Sequence, residues 1–83
     1  MTPDAARAIV RRCLDEIAPG AGGDAVAPDA DLREALDLDS MDIFNLVAAL
    51  SEETGVDIAD REVAGLTTLD AFAGRVASAS VSG

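Results

Sequence analysis

Eighty-three residues with 49% apolar content supply one hydrophobic core and leave no chain for a second. Sixteen Asp and Glu oppose six Arg, without Lys or His, for a net charge of −10. A chain so acidic has no footprint for nucleic acid and is repelled by anionic membranes, which leaves basic protein surfaces as its natural counterpart. No signal-peptide core opens it and no apolar run reaches membrane-span length, so we expect a cytoplasmic monomer without membrane insertion. The Lys-free, Ala- and Arg-rich usage suits a bacterial source.

Ala, Leu, Val and Ile dominate, with Phe44 and Phe72 the two aromatics, a composition that predicts an all-α fold. From about Pro3 to Ala18, Ala6, Ile9, Val10, Cys13, Leu14 and Ile17 recur at helical spacing. Thr2 caps this helix, Pro3 takes its first position and Pro19-Gly20 ends it. Cys13 lies on the apolar stripe and reads as a buried small hydrophobe. Residues 19–39 form a long connection in which Asp31 to Leu36 can make one helical turn, with Leu32, Leu36 and Leu38 pinning it to the core.

A second main helix is expected from about Ser40 to Thr54, capped by Gly55. At 100° per residue, Ile43, Leu46, Val47 and Leu50 share a sector roughly 100° wide, the buried stripe. Val56-Asp57-Ile58 is a short extended link, and Asp60 is read as the cap of a short helix through Val63. Thr67 or Thr68 caps the last helix, built on Leu69, Phe72, Ala73 and Val76. The expected architecture is three main helices and a short one, a single domain over residues 1–77, with 78–83 a frayed tail.

Without His there is no Ser-His-Asp constellation and no partner for the single thiol. No phosphate-cradling glycine loop and no Cys/His metal cluster is present. An EF-hand register begun at Asp37 fails, with Met41, Asp42 and Ala48 at the places that need an acid or Asn, a Gly and a Glu. The chain reads as a non-enzyme without a catalytic residue or metal site.

Asp39-Ser40 remains. Asp and Ser are both favoured at helix starts, and Asp39 with Asp42 imitates a capping box, so Ser40 as no more than a cap in an acidic interaction domain is one reading. The other rests on its neighbours. Ser40 follows a long loop, and Phe44, Ala48 and Met41 lie at roughly 40°, 80° and 100° from it, outside the buried sector. Exposed Met and Phe beside a serine suit a surface that something binds. Phe44 is also only about 60° from Val47, so an inward orientation stays open.

The series Leu32, Leu36, Asp39-Ser40-Met41, Leu46-Val47, Leu50, Glu52-Glu53, Val56-Asp57-Ile58, Asp60 and Leu66-Thr67-Thr68-Leu69 resembles the acyl carrier protein family. The resemblance runs from Leu32 to Val76. It implies a four-helix carrier bundle and a phosphopantetheinyl transferase that moves 4′-phosphopantetheine from coenzyme A onto Ser40, flanked by Asp39. It further implies acyl groups held as thioesters for acyl-loading and acyl-processing enzymes of fatty-acid, polyketide or specialised lipid synthesis. Those enzymes would dock through basic patches on the helix that begins at Ser40, and we expect Met41, Asp42, Phe44, Ala48 and Glu52 to meet them. Asp37 stands where carriers of general fatty-acid synthesis usually have Gly, and Asn45 and Ser51 replace customary acids. Leu38 to Met41 matches a run shared by D-alanine carriers, which keeps an amino-acyl cargo as an alternative.

Overall fold

The apolar positions repeating at three- and four-residue steps fold into the helices that carry the core. The computed structural model describes residues 1–81 and holds five helices: α1 (Pro3–Ile17), α2 (Leu32–Leu36), α3 (Ser40–Thr54), α4 (Asp60–Val63) and α5 (Leu69–Val81). Among the described residues there is no strand, and a lone bridge joins Asp31 to Thr68. The chain is all-α, with α1, α3 and α5 as the main helices, α4 as the short fourth, and α2 as the turn anticipated in the long connection. α1 packs against both α5 and α3.

Ala6, Val10, Cys13 and Leu14 of α1 meet Ile43, Leu46, Val47 and Leu50 of α3 and Leu69, Phe72, Ala73 and Val76 of α5 in one core. Leu32, Leu36 and Leu38 are buried with them and tie the connection down. Val56 and Ile58 are buried while Asp57 between them is exposed, the alternation of an extended link. No charged or polar residue is buried among those described, so the acids lie on the surface.

Thr2 Oγ1 accepts the Ala5 amide at 3.1 Å and Thr68 Oγ1 accepts that of Ala71 at 3.0 Å, which settles the choice between Thr67 and Thr68. Gly55 closes α3 at φ 73°, a left-handed conformation that glycine adopts without a steric penalty. One local expectation needs correction. The cap of α4 is Ala59 rather than Asp60, and its amide is met by the Glu62 carboxylate at 2.9 Å, so the reciprocal half of a capping box works without the usual side chain in front. The last helix spans Leu69–Val81, and 82–83 of the expected tail lie outside the described residues.

The long connection is tied to α1 and α5. Arg11 donates from Nη1 to the carbonyls of Gly23 at 3.2 Å and Val26 at 2.9 Å. A β-carbon on Gly23 would stand 2.8 Å from Leu14 Cβ, so only glycine lets the loop lie this close to α1. Further on, the Asp70 amide donates to the Pro28 carbonyl at 3.0 Å and the Leu32 amide to that of Thr67 at 2.8 Å. These bonds fix where α2 begins, and with it the corner that leads into α3.

Candidate functional site

That corner is made by two reversals. Asp31 accepts the Arg33 and Glu34 amides and starts α2; six residues later Asp37 stops it in the left-handed conformation, at φ 54°. The Leu38 amide then donates to the Arg33 carbonyl at 3.0 Å and the Leu38 side chain turns into the core. The chain leaves again at Asp39, in extended conformation, and α3 begins at Ser40. Asp37, Asp39 and Ser40 are all left exposed.

Asp39 is the N-cap. Its Oδ1 accepts the Asp42 amide at 2.9 Å, and Asp42 Oδ2 accepts the Asp39 amide at 3.2 Å, completing a reciprocal capping box. Ser40 is therefore the first helical residue, not the cap. Its hydroxyl takes no hydrogen bond from or to any described residue, and the two nearest carboxylates in sequence are occupied with backbone amides. The reading of Ser40 as a cap and nothing else is thus overturned by Asp39, which does that work. What remains is a primary alcohol, open to solvent and without an internal base. It suits an acceptor that another protein activates rather than a nucleophile activated in place.

Beyond Ser40 the exposed face of α3 is apolar. Met41 is 67% exposed and Phe44 51%, and Ala48 follows one turn on, so the inward orientation of Phe44 is the one the structure corrects. Asp42 is half-buried within its capping box and Asp39 fully on the surface. Glu52 is set apart: twelve residues of helix put it about 18 Å from Ser40, where it lines a polar hollow with Glu16, Ala49 and Glu53. The structure thus groups Asp39, Met41, Asp42, Phe44 and Ala48 with Ser40, and places Glu52 at the other end of α3.

Ion pairs lie away from this corner. Arg7 bonds Asp4 at 2.9 Å and Asp70 at 2.7 Å, Arg12 pairs with Glu53, and Arg75 holds Glu62 at 2.7 Å. Asp37, Asp39 and Asp42 have no Arg partner among the described residues, so the corner presents bare negative charge. Burial pushes the Cys13 thiol upward, with Glu16 adding to it, which keeps this cysteine protonated and inert. No group of three or more His, Cys, Asp or Glu gathers into a metal-binding arrangement among the described residues, and no helix there is long and apolar enough to cross a membrane.

Sequence reasoning had not identified Asp37 as a left-handed cap, nor Arg75 as the partner of Glu62. The first was signalled by Asp in a place that commonly holds Gly; the second, thirteen residues apart across two helices, left no local trace.

The described residues form an all-α bundle that presents an unpartnered serine hydroxyl at a helix start. The family model of the phosphopantetheine attachment site matches residues 7–76. The chain belongs to this family, which is defined by a site for phosphopantetheine attachment. It is 36% identical over 50 residues to an acyl carrier protein of Saccharopolyspora erythraea, covering 60% of this chain and 53% of that one. Likeness to the acyl carrier protein of Rubrobacter xylanophilus is 40% over 45 residues, 54% of this chain and 56% of the other. With that of Thermosynechococcus vestitus it is 46% over 44 residues, 53% and 54% of the two chains. The chain spans about half the length of the curated relatives it matches.

Proposed function

We propose that the protein is an acyl carrier in which Ser40 bears the 4′-phosphopantetheine arm. The observation that supports this most is the division of labour at the start of α3: Asp39 caps the helix and leaves the adjacent hydroxyl exposed and unbonded. In the transfer, Ser40 Oγ attacks the pantetheine-side phosphorus of the coenzyme A pyrophosphate. A phosphorus–oxygen bond forms to Oγ, the pyrophosphate bridge breaks and the adenosine bisphosphate half leaves. The hydroxyl proton passes to a base of the transferase, since the carboxylates beside Ser40 are committed to the capping box. When bound, the arm supplies a terminal thiol on which an acyl group rides as a thioester.

Partners are the transferase and the enzymes that load and process the acyl group in fatty-acid, polyketide or specialised lipid synthesis, met by a cytoplasmic monomer. Met41, Phe44 and Ala48 supply the apolar contact, and Asp39 and Asp42 steer a basic patch into register, with Glu52 at the far end of the helix. An amino-acyl cargo is the second reading, supported by the Leu38 to Met41 run.

Intact mass after incubation with coenzyme A and a phosphopantetheinyl transferase tests the proposal. The wild-type protein should gain one phosphopantetheine, and Ser40→Ala none, with unchanged helical circular dichroism. An adduct that persists in Ser40→Ala would end it.

A further inference from the structure

One segment of the molecule is attached quite differently from the rest. α1, α3 and α5 each run thirteen residues or more and share the core, whereas α4 has four residues and no side-chain N-cap. A single helical turn has no stability of its own, because nucleation is unfavourable and too few bonds follow it. The stretch from Asp57 to Leu66 is therefore held by what it touches. Ile58 and Val63 supply apolar anchors within it, and Leu66 packs partly against the core.

The polar attachment converges on one residue of α5. Arg75 Nε donates to Glu62 Oε1 at 2.7 Å and Nη2 donates to Glu62 Oε2 at 3.3 Å, while Nη2 also reaches the Asp57 carbonyl at 3.1 Å. Glu62 in turn accepts the Ala59 amide at 2.9 Å, the only side-chain support at the start of α4 among the described residues. One guanidinium fork thus grips the start of the link at Asp57 and the short helix at Glu62, and it does so through the carboxylate that also begins the turn. A planar fork spanning two acceptors is a geometry that Arg provides and Lys does not.

We infer that Arg75 is a latch: through Glu62 and the Asp57 carbonyl it holds residues 57–66 closed against the bundle, and this segment opens as a unit separate from the three main helices. Opening breaks the Arg75 fork and the Ala59–Glu62 contact together and uncovers Ile58 and Val63 at one edge of the core. The inference stands on bonds within the folded chain and does not depend on what Ser40 carries.

Amide hydrogen exchange on the full chain, read residue by residue, tests it. In the wild type the amides of Glu62, Gly65 and Leu66, which bond within the segment, should exchange faster than those in the middle of α1 and α3. Arg75→Gln and Glu62→Gln should each accelerate them further by roughly two- to fivefold, the range for a partly exposed pair, and leave the α1 and α3 amides unchanged. Arg75→Lys keeps the charge without the fork and should fall between. Arg7→Gln, which breaks the pairs with Asp4 and Asp70 instead, should leave the segment alone. Unchanged exchange of the three amides in both Gln variants, or equal acceleration over the whole chain, would overturn the latch.

Discussion

At the start of α3, two adjacent residues divide what a helix start asks of one. Asp39 satisfies the orphan amide of Asp42, and Ser40, relieved of that duty, keeps its hydroxyl free. The consequence for stability is asymmetric. Asp39→Ala should destabilise the fold by about 1 kcal/mol, whereas Ser40→Ala should stay within about 0.5 kcal/mol of wild type; denaturant unfolding at constant m-value distinguishes them. Asp37 poses the opposite case. Its left-handed backbone carries a steric penalty that glycine lacks, so Asp37→Gly should raise stability by about 0.5 kcal/mol, read as a higher denaturation midpoint. At this scale the sequence was partly legible. Asp39 with Asp42 announced a capping box, but type and spacing do not say whether Asp39 or Ser40 occupies the cap, since both are good caps. That is decided by where Leu38 buries and the chain turns outward.

Among the elements, α3 was legible end to end because its buried face is a clean stripe and its termini are marked by Asp39 and Gly55. Phe44 was ambiguous for the same geometric reason that makes it useful: it borders the stripe and falls outside it by a fraction of a turn. With half its surface exposed, Phe44→Ala should cost well under the 3 kcal/mol or so of a buried phenylalanine. Together with Met41→Ala it should slow modification by the transferase while the melting temperature moves little; Asp42→Lys should slow it as well but also lower the melting temperature, because it breaks the reciprocal half of the capping box. Wild-type rates in all three would relocate the docking surface. α4 was legible as a short helix but not in its support, because Asp60 looks like a cap and the real contacts come from Ala59, Glu62 and distant Arg75. The Arg75 hydrogen bonds, then the Ala59 amide, hold the Glu62 carboxyl below its ordinary value. Arg75 and Arg61 favour its charged form, and Asp57 is the acid that also faces Arg75. A depressed carboxyl contributes stability above its unfolded pKa and loses it as pH falls through the folded one. Wild type should therefore melt above Glu62→Gln at neutral pH, and the gap should close in acid; a gap that is constant from neutral to strongly acid pH would contradict this.

For the whole molecule, charge and size set the terms. From Asp29 to Glu62 eleven acids meet two Arg, a local charge of −9, and a core of this size leaves about 3–5 kcal/mol of net stability. The molecule measures 34 × 25 × 20 Å. The Debye length is about 30 Å at 0.01 M salt and about 8 Å at 0.15 M, so the acids repel across the molecule in the first case and only between neighbours in the second. The melting temperature should rise by several degrees across that range, given about 4–8 °C per kcal/mol for a small domain, and millimolar magnesium should act in the same direction. Indifference to both would mean that local geometry already offsets the repulsion. The same bare charge beside an exposed apolar face supports the carrier reading, and its centre is the identity of the modified residue. Because the chain has no Lys, trypsin releases residues 34–61 as one peptide bounded by Arg33 and Arg61, with Ser40, Ser51 and Thr54 its hydroxyl residues. Tandem mass spectrometry of that peptide after transferase treatment should place phosphopantetheine on Ser40; its appearance on Ser51, on Thr54 or on another peptide, or its absence altogether, would contradict the account.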